Sequence, residues 1–572
     1  MQFSQSAARV TKSRSVWVGS ILATCLAATS ANAQALPDAG AVRQQIEQSR
    51  QESLPEQSAS QFAGPAPLES IGGATVDVTA FRFDGNTRLT HEDLTKAVAG
   101  FVGRSLTFTD LQNAAIAAAN AYRDAGWVVR AYLPRQDVTS GVITIQIIEA
   151  KLGAVRVEAP ATRISAHRLQ RFVESGQKSG EPLSVDALDR KLLLVNDLPG
   201  VSAMGRLAPG ANDAQTDLIV SASDSALVNG AVTADNAGSR FTGSQRVIAS
   251  ASLNDRIGLG DRVDALLLHS RGTDYVNLGF SMPIGSAGWR AGISGSHLSY
   301  DIVTEEFSAL DAHGTSNSVE LQGSYPLIRT RLKNLYLSLA ADEGQYKNES
   351  VGMTVTDYSV ASATIGLRGN RFDQWFGGGA NTASVLIRQG KVDLSDSPNE
   401  VADSLTTRTA GSYRKFSVTI SRLQALSDRF SLFGSLQMQM ASKNLDSSEK
   451  LYLGGSQAVR AYPADEAGGS EGFLLNLESR AKILPSLSAT AFVDWGHVTV
   501  NKENDIAGAA SPNQITLKGA GVSAAYLAPF GLSISATYTH RIGSNPNATS
   551  NGSDQDGTLK KNRFWLQASM PF

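Results

Sequence analysis

From about residue 226 to the C-terminus, apolar and small polar residues alternate in short segments that are separated by polar turns. In residues 532–538, for example, Leu, Ile, Ala and Tyr alternate with Ser and Thr. A period of two predicts β-strands with one apolar and one polar face. In a soluble sandwich the apolar face packs against a second sheet, whereas in a membrane barrel it faces lipid. The period alone leaves both folds open.

The connections and the last strand favour the membrane barrel. The segments predict 16 strands, and the long connections fall at one end only: 301–315, 393–412, 442–470, 499–513 and 543–561. An even strand number, long outer loops and short inner turns are typical of outer-membrane barrels. The last ten residues end on an aromatic residue and place on one face Phe564, Leu566, Ala568, Met570 and Phe572. Residues 226–572 are therefore predicted to form a 16-stranded antiparallel transmembrane β-barrel.

Residues 74–225 show a different, mixed periodicity that predicts an α+β part. Strand and helix signals follow the order β-α-α-β-β in residues 74–152, and the same order returns in residues 153–225. In the first copy, helices are predicted from Thr90 through Val102 and from Thr109 through Ala125, where Gly126 ends the second helix. Two tandem copies of one unit indicate a modular arm in front of the barrel.

The N-terminal residues predict a secretory signal over 1–33. A basic start is followed by an apolar run, and Ala31-Asn32-Ala33 fits a small-x-small cleavage site. The only cysteine, Cys25, lies in this segment, so the mature chain is predicted to contain no disulfide. Residues 34–53 contain one short helix candidate that is too polar to fold alone, so it is either a detached tail or lies in a wet cavity. Residues 54–73 read as an extended linker.

Charge and motif content exclude several classes of function. The 51 basic and 53 acidic residues nearly cancel, which gives no electrostatic reason to expect nucleic acid as a partner. The seven histidines show no metal-ligand spacing. The sequence contains no phosphate-binding loop, serine nucleophile elbow or catalytic cysteine pattern. We therefore expect no enzyme, no nucleotide, no cofactor and no metal.

Two motifs carry a resemblance to a known family. Val459-Arg460-Ala461-Tyr462 lies in the sixth outer connection, and Phe492-Val493-Asp494-Trp495-Gly496 lies on the predicted thirteenth strand. They resemble the V-R-G-[YF] loop tip and the F-x-D-x-G strand motif of the two-partner secretion transporters, the TpsB branch of the Omp85 superfamily that includes haemolysin secretion/activation proteins. The resemblance implies that this loop folds into the barrel and that Arg460 pairs with Asp494. The wall motif would comprise Phe492, Asp494 and Gly496.

One residue of the loop motif departs from the family pattern. Ala461 stands where the family has glycine. Glycine adopts positive φ without the cost that alanine meets there. The resemblance therefore carries over the charge pair, but it does not fix the backbone conformation of the tip Val459, Arg460, Ala461 and Tyr462.

The resemblance extends over nearly the whole mature chain. Residues 83–87 and 122–127 look like the first POTRA domain of the family, residues 193–200 look like the second, and residues 34–53 lie where the family has a plug helix. This implies an outer-membrane transporter with two periplasmic POTRA domains that recognises an unfolded TpsA-type exoprotein, such as an adhesin or a haemolysin-like filament, and secretes it. The client would add a strand to a POTRA sheet edge, without individual binding residues being predicted.

Other functions stay open from the sequence alone. The chain would act as a barrel-assembly factor of the same superfamily if it inserted other proteins into the membrane. A passive porin is the second alternative, although it has no use for residues 74–223. The POTRA units would alternatively only orient the barrel. The identity of the client, the movements of the plug and loop, and the oligomeric state are not predicted.

Overall fold

The computed structural model describes residues 36–50, 73–158, 162–212 and 214–572. The predicted signal peptide and nearly all of the predicted linker lie outside these residues. Within the described residues, no helix is long and apolar enough to cross a membrane.

The N-terminal helix α1 spans Ala39–Ser49 and lies inside the barrel. The Asp38 side chain caps it by accepting a hydrogen bond from the backbone N–H of Ala41. Its short apolar face, which contains Val42 and Ile46, packs against tyrosines of the lumen. Of the two alternatives for this polar segment, the wet cavity is therefore the one observed.

The first α/β unit consists of β1 (Thr75–Val78), β2 (Ala80–Asp84), α2 (His91–Ala97), β3 (Arg104–Thr107), α3 (Phe108–Asp124), β4 (Val129–Tyr132) and β5 (Val142–Glu149). β5 lies between β2 and β4, and β1 pairs with β3. The prediction of a helix through Val102 was wrong. After α2 the chain makes a short 3₁₀ turn, and Gly103 with φ +74° redirects it into β3. Thr107 and Asp110 then form the capping box of α3.

One carboxylate ties together three parts of this unit. Glu149 at the end of β5 accepts hydrogen bonds from the backbone N–H groups of Thr87 and Arg88 and from the Tyr122 hydroxyl on α3. Burial raises the pKa of Glu149, but a hydrogen bond from the Thr87 hydroxyl together with these bonds outweighs burial and holds the pKa below its usual range. The carboxylate therefore stays ionised while it joins the turn after β2 to the core helix.

The second α/β unit consists of β6 (Lys151–Glu158), α4 (Ala166–Glu174), α5 (Val185–Asn196), β7 (Val201–Pro209) and β8 (Gln215–Asp224). β8 is the central strand. The two units are joined by backbone hydrogen bonds as well as by the chain. Val128 donates to the carbonyl of Leu183 over 3.1 Å, and Val185 donates to the carbonyl of Gly126 over 2.9 Å.

Sixteen antiparallel strands close into one barrel, as predicted. They are β9 (Val228–Asp235), β10 (Arg246–Asn254), β11 (Arg262–Ser270), β12 (Thr273–Ile284), β13 (Trp289–Asp301), β14 (His313–Arg329), β15 (Lys333–Ser350), β16 (Met353–Asp373), β17 (Gly379–Asp393), β18 (Gly411–Ala425), β19 (Phe430–Ala441), β22 (Glu471–Leu484), β23 (Leu487–Thr499), β24 (Gln514–Leu527), β25 (Ser533–Arg541) and β26 (Asn562–Pro571). Pairing of β26 with β9 closes the ring.

The outer face of the barrel is apolar. Ile420, Val522 and Phe564 are 50%, 56% and 55% exposed on the outside of the strands. The apolar face predicted for the last strand points outward in the same way, with Leu566, Met570 and Phe572 all exposed. A ring of strands that is apolar outside and lined by polar and charged residues inside fits a lipid bilayer around it.

Connections differ at the two ends of the barrel. The end next to the α/β units has short turns, which we call near turns: 255–261, 285–288, 330–332, 374–378, 426–429, 485–486 and 528–532. The opposite end has the long connections, of which residues 442–470 form loop L6 and residues 542–561 form the last loop. Within L6, β20 (Leu451–Tyr452) pairs with β21 (Gly468–Gly469). A short helix, α6 (Glu400–Leu405), lies in the loop between β17 and β18.

Candidate functional site: a loop held inside the barrel

Loop L6 folds into the lumen and buries its tip there. Val459, Ala461 and Tyr462 are all completely buried, and they pack with wall residues of β22, β23 and β24. Inside the loop, the Val459 N–H donates to the carbonyl of Leu453 over 2.7 Å, and the Gly455 N–H donates to the carbonyl of Tyr462 over 3.1 Å. The tip is thus a compact turn that fills space beside the wall.

The Arg460 guanidinium meets the wall motif through several contacts, which we call the latch. Its Nε and Nη2 donate to the two carboxylate oxygens of Asp494 over 2.9 and 2.7 Å. Its Nη1 donates to Glu478 over 2.9 Å, and its central carbon lies 3.4 Å from the centre of the Phe492 ring. A bidentate, charge-assisted contact with an aromatic face over it is the strongest geometry that an arginine offers a carboxylate.

Asp494 is fully buried, and its carboxylate accepts several hydrogen bonds. In addition to the guanidinium, it accepts from the Arg460 backbone N–H over 3.0 Å and from the Asn476 amide over 2.8 Å. Asn476 also donates to the carbonyl of Ala458. Because a buried carboxylate is costly without such partners, Asp494 and Arg460 depend on each other.

The wall also binds the backbone of the tip. The Arg460 carbonyl accepts hydrogen bonds from the Thr539 hydroxyl over 3.0 Å and from the Trp565 indole N–H over 2.8 Å. These two side chains belong to β25 and β26. The latch therefore reaches wall strands on both sides of β24.

Two wall glycines make room for the tip. A Cβ at Gly496 would lie 2.8 Å from Leu453, and a Cβ at Gly519 would lie 2.6 Å from the Cβ of Ala461. Both distances are shorter than side-chain contacts allow. Ala461 itself is not among the residues with positive φ. The tip therefore accommodates the departure from the family pattern, with the alanine methyl lying over a glycine of the wall.

A second contact between L6 and the wall was missed by sequence reasoning. Glu449, which is 4% exposed, forms ion pairs with Arg388 on β17 over 3.0 Å and with Lys415 on β18. Gln439 on β19 donates to the carbonyls of Glu449 and Ser470 over 3.0 and 3.2 Å, so it holds both limbs of the loop. L6 is thus fastened to two separate parts of the barrel wall.

Helix α1 rests on L6 and on the wall. Its contacts with L6 join Asp38 to Ser447 over 2.7 Å, Gln45 to Asp465 over 3.0 Å, and Gln44 and Gln48 to the carbonyls of Lys450 and Tyr452. Its contacts with the wall join Ala39 to Asn348, Arg43 to Tyr346 over 2.7 Å and Glu47 to Tyr275 over 2.6 Å. The helix and the loop therefore occupy the lumen as one hydrogen-bonded body.

We expect Glu449→Gln to loosen this body. The substitution keeps the shape of the side chain but leaves the buried Lys415 ammonium without an anionic partner, and breaking a buried pair costs about 3–5 kcal/mol. L6 should then be cleaved faster by added protease in detergent-solubilised protein, while the folded barrel still migrates ahead of the boiled form. Glu471→Gln, which removes the more exposed pair with Lys502, is the matched control. Equal cleavage rates for both variants would contradict the second fastening.

The described residues contain no group of three or more His, Cys, Asp or Glu side chains that could hold a metal ion. Some carboxylates in the lumen are instead paired with arginine or lysine, as Asp342 is with Arg388 over 2.6 Å.

Comparison with known proteins gives a consistent family. The model of the haemolysin secretion/activation protein family ShlB/FhaC/HecB matches residues 214–524, and the model of the ShlB-type POTRA domain matches residues 76–150. The heme/hemopexin transporter protein HuxB of Haemophilus influenzae (strain 86-028NP) is 24% identical over 507 residues, which are 85% of each chain. The outer membrane transporter CdiB of Dickeya dadantii (strain 3937) is 24% identical over 477 residues, or 80% of this chain and 83% of that protein.

Solved structures show the same fold. CdiB from Escherichia coli superposes with a TM-score of 0.68 at 21% identity, covering 90% of this chain and 94% of that one. BamA from Haemophilus ducreyi lacking POTRA domains 1–3 superposes with a TM-score of 0.54 at 13% identity, covering 87% of this chain and all of that one.

The closed barrel with a ShlB-type POTRA domain before it defines an outer-membrane β-barrel transporter with periplasmic POTRA domains. The chain belongs to the haemolysin secretion/activation protein family ShlB/FhaC/HecB, the TpsB transporters of two-partner secretion. It recognises an unfolded TpsA-type exoprotein in the periplasm and secretes it through the barrel. The near turns accordingly face the periplasm. We label the first α/β unit, which the POTRA domain model matches over residues 76–150, POTRA1, and the second unit POTRA2.

Proposed function

We propose that the latch is the gate of this transporter. The residues that carry it are Val459, Arg460, Ala461 and Tyr462 on L6, and Phe492, Asp494 and Gly496 on the wall. In the latched state L6 and α1 fill the lumen. When Arg460 leaves Asp494, the loop is free to move aside and a client chain in extended form has a path. Export depends on the latch forming as well as on its release, so a loop that cannot latch does not support secretion.

The observation that carries this proposal is the set of contacts made by the single guanidinium of Arg460. All of its partners are side chains of the barrel wall, so the loop is held by contacts that exchange without any change in the strands. A contact of this kind is strong in a fixed geometry and is lost as a unit when one partner moves. Export of the partner protein by cells that carry an Arg460 variant tests the proposal.

We further propose that the client first pairs with the free edge of β4 in POTRA1. β4 and β5 pair in the register Arg130 with Ile148, and the Ala150 N–H donates to the carbonyl of Val128. Because hydrogen-bonded pairs alternate along an antiparallel ladder, the N–H and C=O of Ala131 point away from β5. Among the described residues they meet no hydrogen-bonding partner. Tyr132 is 39% exposed beside them and offers an apolar contact.

Ala131→Pro is expected to lower secretion about tenfold, because proline removes the donor that an added client strand needs. Proline is tolerated on an edge strand when its missing N–H faces away from the sheet, so the pairing of β4 with β5 is retained. The measurement compares partner protein in the medium with partner protein retained in the periplasm. Ala131→Val keeps the N–H group and should secrete normally. Secretion by the proline variant at the normal rate would exclude this edge as the docking strand.

The client is proposed to be one large exoprotein, an adhesin or a haemolysin-like filament. The name of HuxB, a heme/hemopexin transporter protein, supports a client that binds heme or hemopexin as a further candidate. The proposal contains no catalytic step, since docking, passage and release need only binding contacts that form and break.

A further inference from the structure

In the described residues, POTRA2 lies against one part of the periplasmic rim of the barrel. Its α5 and the residues that follow it contact the first three near turns, 255–261, 285–288 and 330–332. The Lys191 ammonium donates to the carbonyl of Ser286 over 2.7 Å, and Arg190 donates to the carbonyl of Pro326 over 2.6 Å. Leu198 packs over Gly260, where a Cβ would lie 3.0 Å from its methyl group. These contacts cover the ends of strands β10 to β15.

Two arginines at the third near turn form ion pairs with aspartates in and directly after helix α5 of POTRA2. Nε and Nη2 of Arg331 donate to the two carboxylate oxygens of Asp189, both over 2.8 Å. Nε and Nη2 of Arg329 donate to the two oxygens of Asp197 over 2.8 and 2.7 Å. Both pairs therefore have the planar, two-bond geometry that fixes orientation as well as distance.

Both pairs are withdrawn from solvent. The Arg329 and Arg331 side chains are 5% and 12% exposed, and their Asp197 and Asp189 partners are 28% and 19% exposed. Asn334 also accepts from Arg329 over 3.0 Å, which holds the guanidinium in place. Asp189 lies within α5 and Asp197 directly follows it, so the two pairs hold the helix at two separate points. Two-point attachment prevents rotation about either point.

Among the residues that the structure describes, the remaining near turns are largely open to solvent. Every residue of the turn 426–429 is exposed. Phe376 in the turn 374–378, Leu484 beside the turn 485–486 and Phe530 in the turn 528–532 are 86%, 56% and 66% exposed. Within the described part of the chain, the periplasmic mouth is therefore covered by POTRA2 on one side and uncovered on the other.

We propose that the pairs Asp189–Arg331 and Asp197–Arg329 form a clamp that holds POTRA2 over one side of the mouth throughout secretion, so that the client polypeptide enters across the uncovered turns. The four residues are positioning residues, because they set where POTRA2 lies and do not themselves receive the client. This inference rests on the proposed function only for its readout, which is secretion of the partner protein.

A charge exchange tests the clamp. Asp189→Arg and Arg331→Asp each place like charges face to face, and each is expected to lower secretion of the co-produced partner protein about tenfold. The double variant restores an opposite-charge pair and should recover at least half of normal secretion. Glu92→Arg, at an exposed pair with Lys96 on POTRA1, is the control for charge reversal alone. All variants are checked for heat-modifiable migration, which reports a folded barrel. Full secretion by both single variants, or no recovery in the double variant, would overturn the clamp.

A covalent crosslink between the two positions tests whether the clamp stays closed during secretion. Since the only cysteine of the chain is Cys25 in the predicted signal peptide, Asp189→Cys with Arg331→Cys provides a unique pair in the mature protein. Treatment of cells with a short bis-maleimide then replaces the ion pair with a fixed link. Secretion should be low before the link is made and should rise after it. Secretion that falls after linking would mean that POTRA2 must leave the rim, which contradicts the proposal.

The entry side is tested by photo-crosslinking with the same partner protein stalled during export. A photoreactive residue at Asp428, in an exposed near turn, should crosslink to the client, whereas one at Ser286, under POTRA2, should not. Crosslinking at Ser286 alone would overturn the entry path. The Arg460→Ala variant distinguishes the clamp proposal from the gate proposal. If the gate proposal is wrong, this variant secretes normally, and the charge exchange still tests the clamp.

Discussion

Cells that produce the Arg460→Ala transporter should secrete none of the partner protein above background, although the protein still inserts into the outer membrane. The Arg460 side chain is 13% exposed and Asp494 is 0% exposed, so the pair is removed from most of the screening that weakens surface ion pairs. Removing one partner of a buried pair costs about 3–5 kcal/mol. Each 1.4 kcal/mol is about a factor of ten, so the equilibrium constant for the latched loop should fall by roughly two to three and a half orders of magnitude.

Two controls accompany the alanine variant. Arg460→Lys keeps the charge but loses the two-bond geometry, so its secretion should be intermediate. Arg480→Ala removes another arginine that binds Glu478, but one that is 40% exposed, and it should secrete normally. Secretion is measured as partner protein in the medium, and insertion as heat-modifiable migration of the transporter. Normal secretion by the alanine variant would show that the latch is not needed for export.

Deletion of residues 36–50 is expected to raise the ion conductance of the purified transporter in a planar bilayer several-fold. An α-helix with its side chains is about 10 Å wide, and α1 lies in the lumen with its apolar face buried. Its removal leaves an aqueous path of about that width, whereas the intact chain should conduct little. Weakening the helix by Arg43→Ala, which removes the hydrogen bond to Tyr346, should give an intermediate conductance.

Arg50→Ala is the matched control for the conductance measurement. Arg50 follows α1 and forms a partly exposed pair with Glu47, so its loss should leave the helix in place. A large and constant conductance of the intact protein would instead support a passive porin. No change after the deletion would mean that L6 alone closes the lumen.

Much of the fold was predictable because its signals are local. Alternation along each strand and the spacing of turns gave the 16 strands, and the outward face of the last strand follows directly from the positions of Phe564 and Leu566. β3 was missed because its four residues, Arg104–Thr107, are too few to show a period. Its pairing with β1 is a tertiary preference that overrides the helical pattern before it.

The site was predictable only where a motif marked it. Arg460 and Asp494 stand in recognisable sequence patterns, and the structure brings them together with Phe492. Glu449, Arg388 and Lys415 come from three distant segments, and each one alone has the sequence context of a solvated charge. The Asp189–Arg331 pair could not be predicted from the sequence either, because its partners lie 142 residues apart. Ion pairs between distant segments leave no periodic trace in either segment.

The close approach of Ala461 to Gly519 makes two distant positions share space for a single methyl group. Because the methyl group of Ala461 fills this space, the wall has no room for a side chain at position 519. A side chain added there would push the tip outward. A transporter whose loop carries the usual glycine has that space vacant and can place a small side chain on its wall instead. In related transporters we therefore expect one of two combinations: alanine on the loop opposite glycine on the wall, or glycine on the loop opposite a small side chain on the wall.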